Sequence, residues 1–496
     1  MNLLFNRSSF HLSIISGILI GFAYPPFPGI TAWFGFVPLI HIWLSESPKE
    51  SARWSFLSAV IANTISFYWI GLNSGASLFP VLLSLISCII YLSSMWALVG
   101  FLLSHLNKRF GNGLAMIPFV WVTFEWLRSF GPLGFPWANL AITQTKFLPL
   151  IQIIDTTGSE GVGFWILLLN TLLYIFLRTN IFDKKLVISL ILVFLIPWVF
   201  GTIRFQFFET KHNIKSRTIS AIQPNVNPNQ KWDVSYRDRL YTIMDSLNAE
   251  AYSFDPDLVL WPEAALPAYM RVSTLRNKYE SLVKKTKIPL LMGTVDYEYK
   301  QNNRLSYNGA IYFGINDNQM YHKMFLVPFA EYIPLSNNFK ILKKLNFGQA
   351  NFSPGKTFTT FPLDTIRFGN LICYESSHPF VARNFIQNGA NFLTIEANDA
   401  WLRNSSGVRQ HFELAVLRAI EQRVGIIRSA NTGISGVIKP SGKTDHKVAF
   451  GAQEVFKGKV ILNDKITFYG IYGSVFSQLC FIITFMQFIW LIKRQN

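Results

Sequence analysis

The chain has 496 residues, half of them hydrophobic, 16% aromatic and only 15% charged, with a mean hydropathy of +0.27. Soluble domains carry roughly 25% charged residues, so much of this chain belongs in lipid, and disordered or collagen-like architectures are excluded. The formal net charge of +17 raises nucleic acid as a partner until its distribution along the chain is known.

Crossing about 30 Å of hydrocarbon takes roughly 20 helical residues. Apolar runs of that kind fall at residues 10–24, 30–45, 54–72, 78–105, 114–128, 161–178, 186–203 and 471–492. The first two are short, and Pro25, Pro26 and Pro28 break the chain between them. The first run ends Gly21-Phe-Ala-Tyr-Pro-Pro, which has no small-x-small cleavage site, so a retained anchor is expected. The expectation is about eight spans.

Orientation follows from Lys and Arg in the short connections. Arg7, Lys49, Arg53, Lys108, Arg109, Arg178, Lys184, Lys185, Lys493 and Arg494 fall on one side, against Arg128 and Lys146 on the other. Both termini are therefore expected in the cytoplasm and the long segment after residue 203 outside. This divides the chain into a transmembrane bundle (1–203), an extracytoplasmic domain (204–470) and a C-terminal transmembrane helix with a short tail (471–496).

The outer segment holds 33 Lys and Arg against 22 Asp and Glu, which is +11, and the membrane part carries the other +6. Its basic residues are scattered, with small groups at Lys284, Lys285, Lys287 and at Lys340, Lys343, Lys344. That pattern suits anionic lipid head groups, or a merely solvated face, better than nucleic-acid readout.

Within the outer segment, short apolar runs alternate with amphipathic stretches. Strands are expected at residues 218–222, 258–261, 289–295, 307–313, 366–373, 392–397 and 425–429. Helices are expected at 236–252, 273–286 and 410–422. This alternation predicts an α/β fold with a buried sheet. Glycine-rich phosphate loops are absent. Cys88, Cys373 and Cys480 are too few and too scattered for a disulfide framework or a cysteine-only zinc site. Cysteine chemistry here must be that of a single thiol.

In such sheets ligands gather at the carboxyl ends of strands. Leu258-Val-Leu-Trp-Pro-Glu263 ends one strand with a carboxylate, and Phe368-Gly-Asn-Leu-Ile-Cys373-Tyr374-Glu375 ends another with a thiol. Between them, an apolar stretch carries Lys323 and, after Pro328-Phe-Ala, Glu331. Singly, each has a bland explanation: a core cysteine, a strand-end cap, a snorkelling lysine. Together they supply a nucleophile, a base and a cation for an oxyanion, the roles that acyl transfer through a thiol requires. Spacing alone does not show that they converge.

Trp261-Pro-Glu263, Lys323 with Glu331, and Cys373-Tyr374-Glu375 resemble the Glu-Lys-Cys signature of the nitrilase superfamily. Asn398-Asp-Ala-Trp401, Gln410-His-Phe and Arg428-Ser-Ala-Asn431 narrow the resemblance to its integral membrane branch, the apolipoprotein N-acyltransferases, over essentially the whole chain. The resemblance implies an αββα sandwich on a transmembrane helical bundle, in the bacterial inner membrane with the catalytic domain on the periplasmic side. It implies acyl transfer from a phospholipid, typically phosphatidylethanolamine, to the α-amino group of the N-terminal diacylglyceryl-cysteine of an apolipoprotein. It assigns Cys373 as nucleophile, Glu263 as general base and Lys323 as the cation that stabilises thiolate and oxyanion, the latter together with the Tyr374 backbone N–H. Glu331, Tyr374 and Glu375 match supporting positions, and Trp232 matches a loop tryptophan associated with lipid access. No metal or soluble cofactor is implied. Ala330 and Leu402-Arg403 depart from the residues usual in the family and put the head-group preference in doubt.

Both substrates keep their acyl chains in the bilayer, and each CH₂ drawn into water costs about 0.8 kcal/mol. A site opening at the outer membrane surface is therefore expected, framed by Trp33, Trp43, Trp69, Trp96, Trp121, Trp126 and Trp137 at head-group depth. The nearest rival is a membrane-tethered amide hydrolase, in which water replaces the amine. A catalytically inactive transporter or scaffold fits less well, since only His41, Glu125 and Arg128 approach the interior of a span.

Overall fold

The computed structural model of the chain describes residues 7–179, 183–210, 215–336 and 350–493. Lys340, Lys343, Lys344 and Arg494 lie outside the described residues. The chain divides into two compact units, one of Met1–Gly71, Leu82–Glu209 and Tyr472–Asn496, the other of Leu72–Val81 and Thr210–Ile471.

The first unit is helical, and a helix occurs at each of the eight apolar runs. Pro48–Leu72, Leu78–Phe110, Glu160–Thr179 and Lys184–Thr210 are long and apolar enough to cross a membrane. Ser9–Gly21, Ile30–Ser45, Gly113–Leu127 and Val475–Trp490 are apolar but shorter. The buried charges Glu125 and Arg128 of this unit are paired with each other and with backbone, as an apolar surrounding favours. Glu125 accepts from the Leu140 N–H at 2.7 Å and lies 3.6 Å from Arg128, which donates to the Ala138 carbonyl at 2.8 Å. Most of the tryptophans expected to frame the site are packed inside the unit. Trp43, Trp69, Trp96, Trp121 and Trp137 are buried, and Trp96 packs edge-on to Trp121 and Trp69 against Trp137, each with centroids 5.0 Å apart. Within a helical bundle a large ring fills the space between helices.

Among the described residues the second unit contains twelve strands: β1 (Ser216–Gln223), β2 (Leu258–Leu260), β3 (Leu290–Lys300), β4 (Asn303–Phe313), β5 (Asn318–His322), β6 (Phe361–Leu363), β7 (Ile366–Ile372), β8 (Phe392–Ala397), β9 (Ile426–Ala430), β10 (Ser435–Ile438), β11 (Thr444–Val448) and β12 (Glu454–Ile461). They form two six-stranded sheets, ordered β12-β1-β2-β3-β4-β5 and β11-β10-β9-β8-β7-β6. The centre of each sheet is parallel, β1 with β2 and β3 in one and β7 with β8 and β9 in the other. Parallel strands are covered on both faces, which is why these segments read as continuous apolar runs.

The inner faces meet through Tyr312, whose ring packs on Phe361 and Phe368, and through Ser429, whose hydroxyl donates to the Ile222 carbonyl at 2.7 Å. On the outer face of the first sheet, Leu240 and Met244 of helix Arg237–Ser253 and Tyr279 and Val283 of helix Leu275–Thr286 share a core with Ile222, Val259, Trp261 and Met292. Helices Pro379–Gln387 and Ser406–Gln422 cover the second sheet. The layers are helix, sheet, sheet, helix, the expected αββα sandwich.

Candidate active site

Three carboxyl ends of strands meet at one end of the sandwich. Glu263 follows β2 by three residues, Lys323 follows β5 directly and Cys373 follows β7 directly. Gly293 of β3 makes the approach of Glu263 possible. A Cβ there would lie 2.4 Å from the Pro262 carbonyl oxygen and 2.7 Å from the Glu263 Cα, so only a residue without a side chain lets the two backbones pass.

Lys323 is fully buried and held by two carboxylates. Its Nζ donates to Glu331 Oε1 at 2.9 Å and lies 3.6 Å from Glu263 Oε1. Asn308 of β4 ties the same two oxygens together, its Nδ2 donating to Glu263 at 2.7 Å and to Glu331 at 2.9 Å. The other Glu331 oxygen accepts from the Val327 N–H at 2.7 Å. Burial alone would lower the Lys323 ammonium, but the charges of Glu331, Glu263 and Cys373 override it and hold the amine protonated well above its ordinary range.

Cys373 is partly accessible and adopts φ +51°, a conformation that non-glycine residues take at a cost of about 1–3 kcal/mol. The turn therefore lifts the thiol out of the strand line. Burial and the Glu263 carboxylate push the thiol well above its ordinary pKa, while Lys323 opposes them. A thiol so placed needs a base at hand and a cation beside it before it can attack. The Lys323 ammonium is a cation whose charge acts on it, and Glu263 is the foremost of three carboxylates that do, ahead of Asp399 and Glu331.

Glu375 stands behind Cys373. Its carboxylate accepts from the Ile372 N–H at 2.8 Å, the Tyr321 hydroxyl at 2.7 Å and the Met324 and Phe325 N–H groups at 2.7 and 3.3 Å. It therefore joins the Cys373 turn to the segment that carries Lys323. Burial lifts its carboxyl to about 7 against the pull of these donors. Tyr374 is buried, its ring edge-on to His378 at 4.9 Å. Trp232 is 54% exposed, on the loop after β1, outside the cluster formed by the other six expected residues.

Further residues at this end of the sandwich carried no assigned role in the sequence. Asn308 is one. Lys231, next to Trp232, is buried and donates from Nζ to the Ala264 carbonyl. Burial draws its amine down to about 8, against the nearby Glu263 charge. Asp399, His411 and Arg428 form a third group. The Cys373 thiol, an Asp399 oxygen and a His411 nitrogen fall within 4.8 Å of one another, a spacing a metal could use. Both Asp399 oxygens and both His411 nitrogens are already engaged, and the Arg428 guanidinium sits among them, so the group fits a hydrogen-bond network better than a cation. Their motifs, Asn-Asp-Ala-Trp, Gln-His-Phe and Arg-Ser-Ala-Asn, were the available signal, but no spacing showed that they meet.

Residues 16–172 match the family described as Apolipoprotein N-acyltransferase N-terminal domain, and residues 218–460 match Carbon-nitrogen hydrolase. The apolipoprotein N-acyltransferase of Geobacter metallireducens is 31% identical over an alignment covering 96% of this chain and 93% of that protein. The protein of the same name from Chlorobaculum tepidum is 28% identical, covering 95% and 94%. A Glu-Lys-Cys cluster at the strand ends of an αββα sandwich, joined to an apolar helical unit and matched along nearly its whole length, places the chain in one group: it belongs to the apolipoprotein N-acyltransferase family.

Proposed function

We propose that the chain transfers an acyl group from a membrane phospholipid, through a thioester on Cys373, to the α-amino group of a diacylglyceryl-cysteine at the N-terminus of an apolipoprotein. The observation that carries the mechanism is the convergence of Lys323, Glu263 and Cys373, with the lysine held cationic between two carboxylates.

In the first half-reaction Glu263 takes the thiol proton and Sγ attacks the ester carbonyl. The oxyanion is stabilised by Lys323 Nζ and the Tyr374 N–H. The C–O bond breaks, the C–S bond forms, and the lysophospholipid leaves with the proton from Glu263. In the second, the acceptor amine attacks the thioester and Glu263 removes its proton. The C–S bond breaks, the amide C–N bond forms, and the proton returns to the thiolate. Glu331 and Asn308 hold Lys323 and Glu263 in register throughout. Trp232, exposed beside the anchored Lys231, is suited to touch lipid at the site's entrance. No step needs a metal or a soluble cofactor.

The donor head group is proposed as phosphatidylethanolamine. The setting is the bacterial inner membrane, with 1–203 and 471–496 forming about eight spans, both termini cytoplasmic and the catalytic domain 204–470 periplasmic. The ten-to-two asymmetry of Lys and Arg supports that orientation. Purified enzyme given phosphatidylethanolamine is expected to show an acyl adduct on Cys373 by mass spectrometry. A diacylated lipoprotein peptide should then be converted to the triacyl form. Turnover without the adduct would sink the thioester, and release of free fatty acid alone would favour the amide-hydrolase alternative.

A further inference from the structure

Beneath the nucleophile lies a buried chain of polar groups drawn from three elements of the second sheet's half. Arg428, on β9, donates from Nη2 to Asp399 Oδ2 at 2.8 Å and from Nε to the Ile434 carbonyl at 3.0 Å. Asp399, just past β8, meets His411 Nδ1 at 2.6 Å through its other oxygen. His411, on helix Ser406–Gln422, places Nε2 at 2.9 Å from the Cys373 carbonyl oxygen and 3.0 Å from Ser376 Oγ. Ser376 Oγ donates to that same carbonyl at 2.8 Å. All four side chains are buried to 1% exposure or less. Burial would raise the Asp399 carboxyl, but His411 and Arg428 overcome it and hold it at about 2.

The carbonyl that His411 faces can only accept, so Nε2 carries the proton of that bond. The ring is thus bonded to the backbone of Cys373, with one of its nitrogens within 4.8 Å of the thiol. The peptide group joining Cys373 to Tyr374 is trans and planar, so its C=O and N–H point in opposite directions. Fixing the carbonyl inward aims the Tyr374 N–H toward the other side of the turn. Two donors on the carbonyl also polarise the amide, which makes its N–H the stronger donor.

We propose that His411, seated by Asp399 and Arg428, is a positioning residue that aims and polarises the Cys373–Tyr374 peptide, so that the Tyr374 N–H is set to receive the oxyanion of acyl transfer. The proposal rests on the thioester reading above and adds to it a residue that acts through the Cys373 carbonyl. It also accounts for the φ of +51° at Cys373: the strained turn is retained because its carbonyl is anchored from below.

The test compares two reactions of the same thiol in the full-length enzyme. Acylation by phosphatidylethanolamine passes through an oxyanion, whereas alkylation by iodoacetamide displaces iodide and forms none. His411→Ala is expected to slow acyl-adduct formation on Cys373 by about 10²–10³, the scale of losing an oxyanion donor, while the rate and pH profile of alkylation stay those of the wild type. His411→Gln, whose amide nitrogen reaches the same carbonyl, should recover most of the lost acylation. Unchanged acylation in His411→Ala overturns the proposal. So does a parallel loss of alkylation, which marks a collapsed turn, or a shifted alkylation pH profile, which marks His411 as the base in a Cys–His–Asp arrangement. Should His411→Ala fail to purify, His411→Gln decides alone, and loss of its acylation with alkylation intact overturns the proposal. Absence of any acyl adduct in the wild-type enzyme during turnover is a separate failure, that of the thioester itself.

Discussion

The two sheets of the sandwich bring different kinds of group to Cys373. Around the ends of β2, β4 and β5, Glu263, Asn308, Lys323 and Glu331 form a closed cluster in which one ammonium is shared between two carboxylates. Around β7, β8 and β9, Asp399, His411 and Arg428 form an open chain that ends on the Cys373 carbonyl. The first set faces the thiol with charge and exchangeable protons. The second is linked side chain to side chain and ends on two backbone carbonyls, those of Cys373 and Ile434. A buried ion pair is weak evidence of stability, because desolvation offsets most of the attraction. Two such networks on either side of one strained cysteine make better sense as the two halves of a reacting centre, one chemical and one geometric.

The sharpest break comes from removing what both halves serve. Cys373→Ala should abolish acyl adduct and triacyl product alike, read by mass spectrometry. On the first-sheet side, Glu263→Gln keeps the shape but cannot take a proton, and thioester formation should fall by about 10²–10⁴, the usual worth of general base catalysis. Asn308→Ala tests whether the cluster acts as a unit. It removes the amide that ties Glu263 to Glu331 but no charge, and a drop in acylation of about ten- to a hundredfold is expected, the scale of hydrogen bonds to charged groups.

Glu375 belongs to both sides and should reveal itself in stability. Its folded pKa of about 7 stands above the ordinary 4.5, so between these values the folded protein keeps a proton that the unfolded chain has released. Stability should therefore fall as pH rises from about 4.5 to about 7 and level off above. Glu375→Gln should flatten that slope in thermal melts, and an unchanged slope would show that another group sets it. At the bottom of the scale, Cys88→Ala and Cys480→Ala should leave acyl transfer as it was.

Much of the sandwich was legible because its central strands are parallel and buried on both faces. Residues 218–222, 258–261, 366–373 and 392–397 read as apolar runs and became β1, β2, β7 and β8. The outer strands did not. β5, Asn-Gln-Met-Tyr-His, and β11, Thr-Asp-His-Lys-Val, are edge strands with polar, half-exposed residues, and nothing in their composition separates them from loop. The site divides the same way. Glu263, Lys323 and Cys373 stand at strand ends beside apolar runs, where a polar residue is conspicuous. Asn308 lies within β4 and Lys231 in a polar loop, where neither residue type is unusual. His411 sits on a helix buried at every residue but Arg409, so its role depends on what that helix packs against.

Glu375 has a further consequence as a gauge. It lies two residues beyond Cys373 and grips the N–H of the residue next to Lys323. The separation between nucleophile and cation is thus set by a few bond lengths through one carboxylate, although the two residues belong to different sheets. Sliding or breathing of one sheet over the other must carry both groups together. The alignment of the two is then tied to a single buried carboxylate rather than to how firmly one sheet packs on the other.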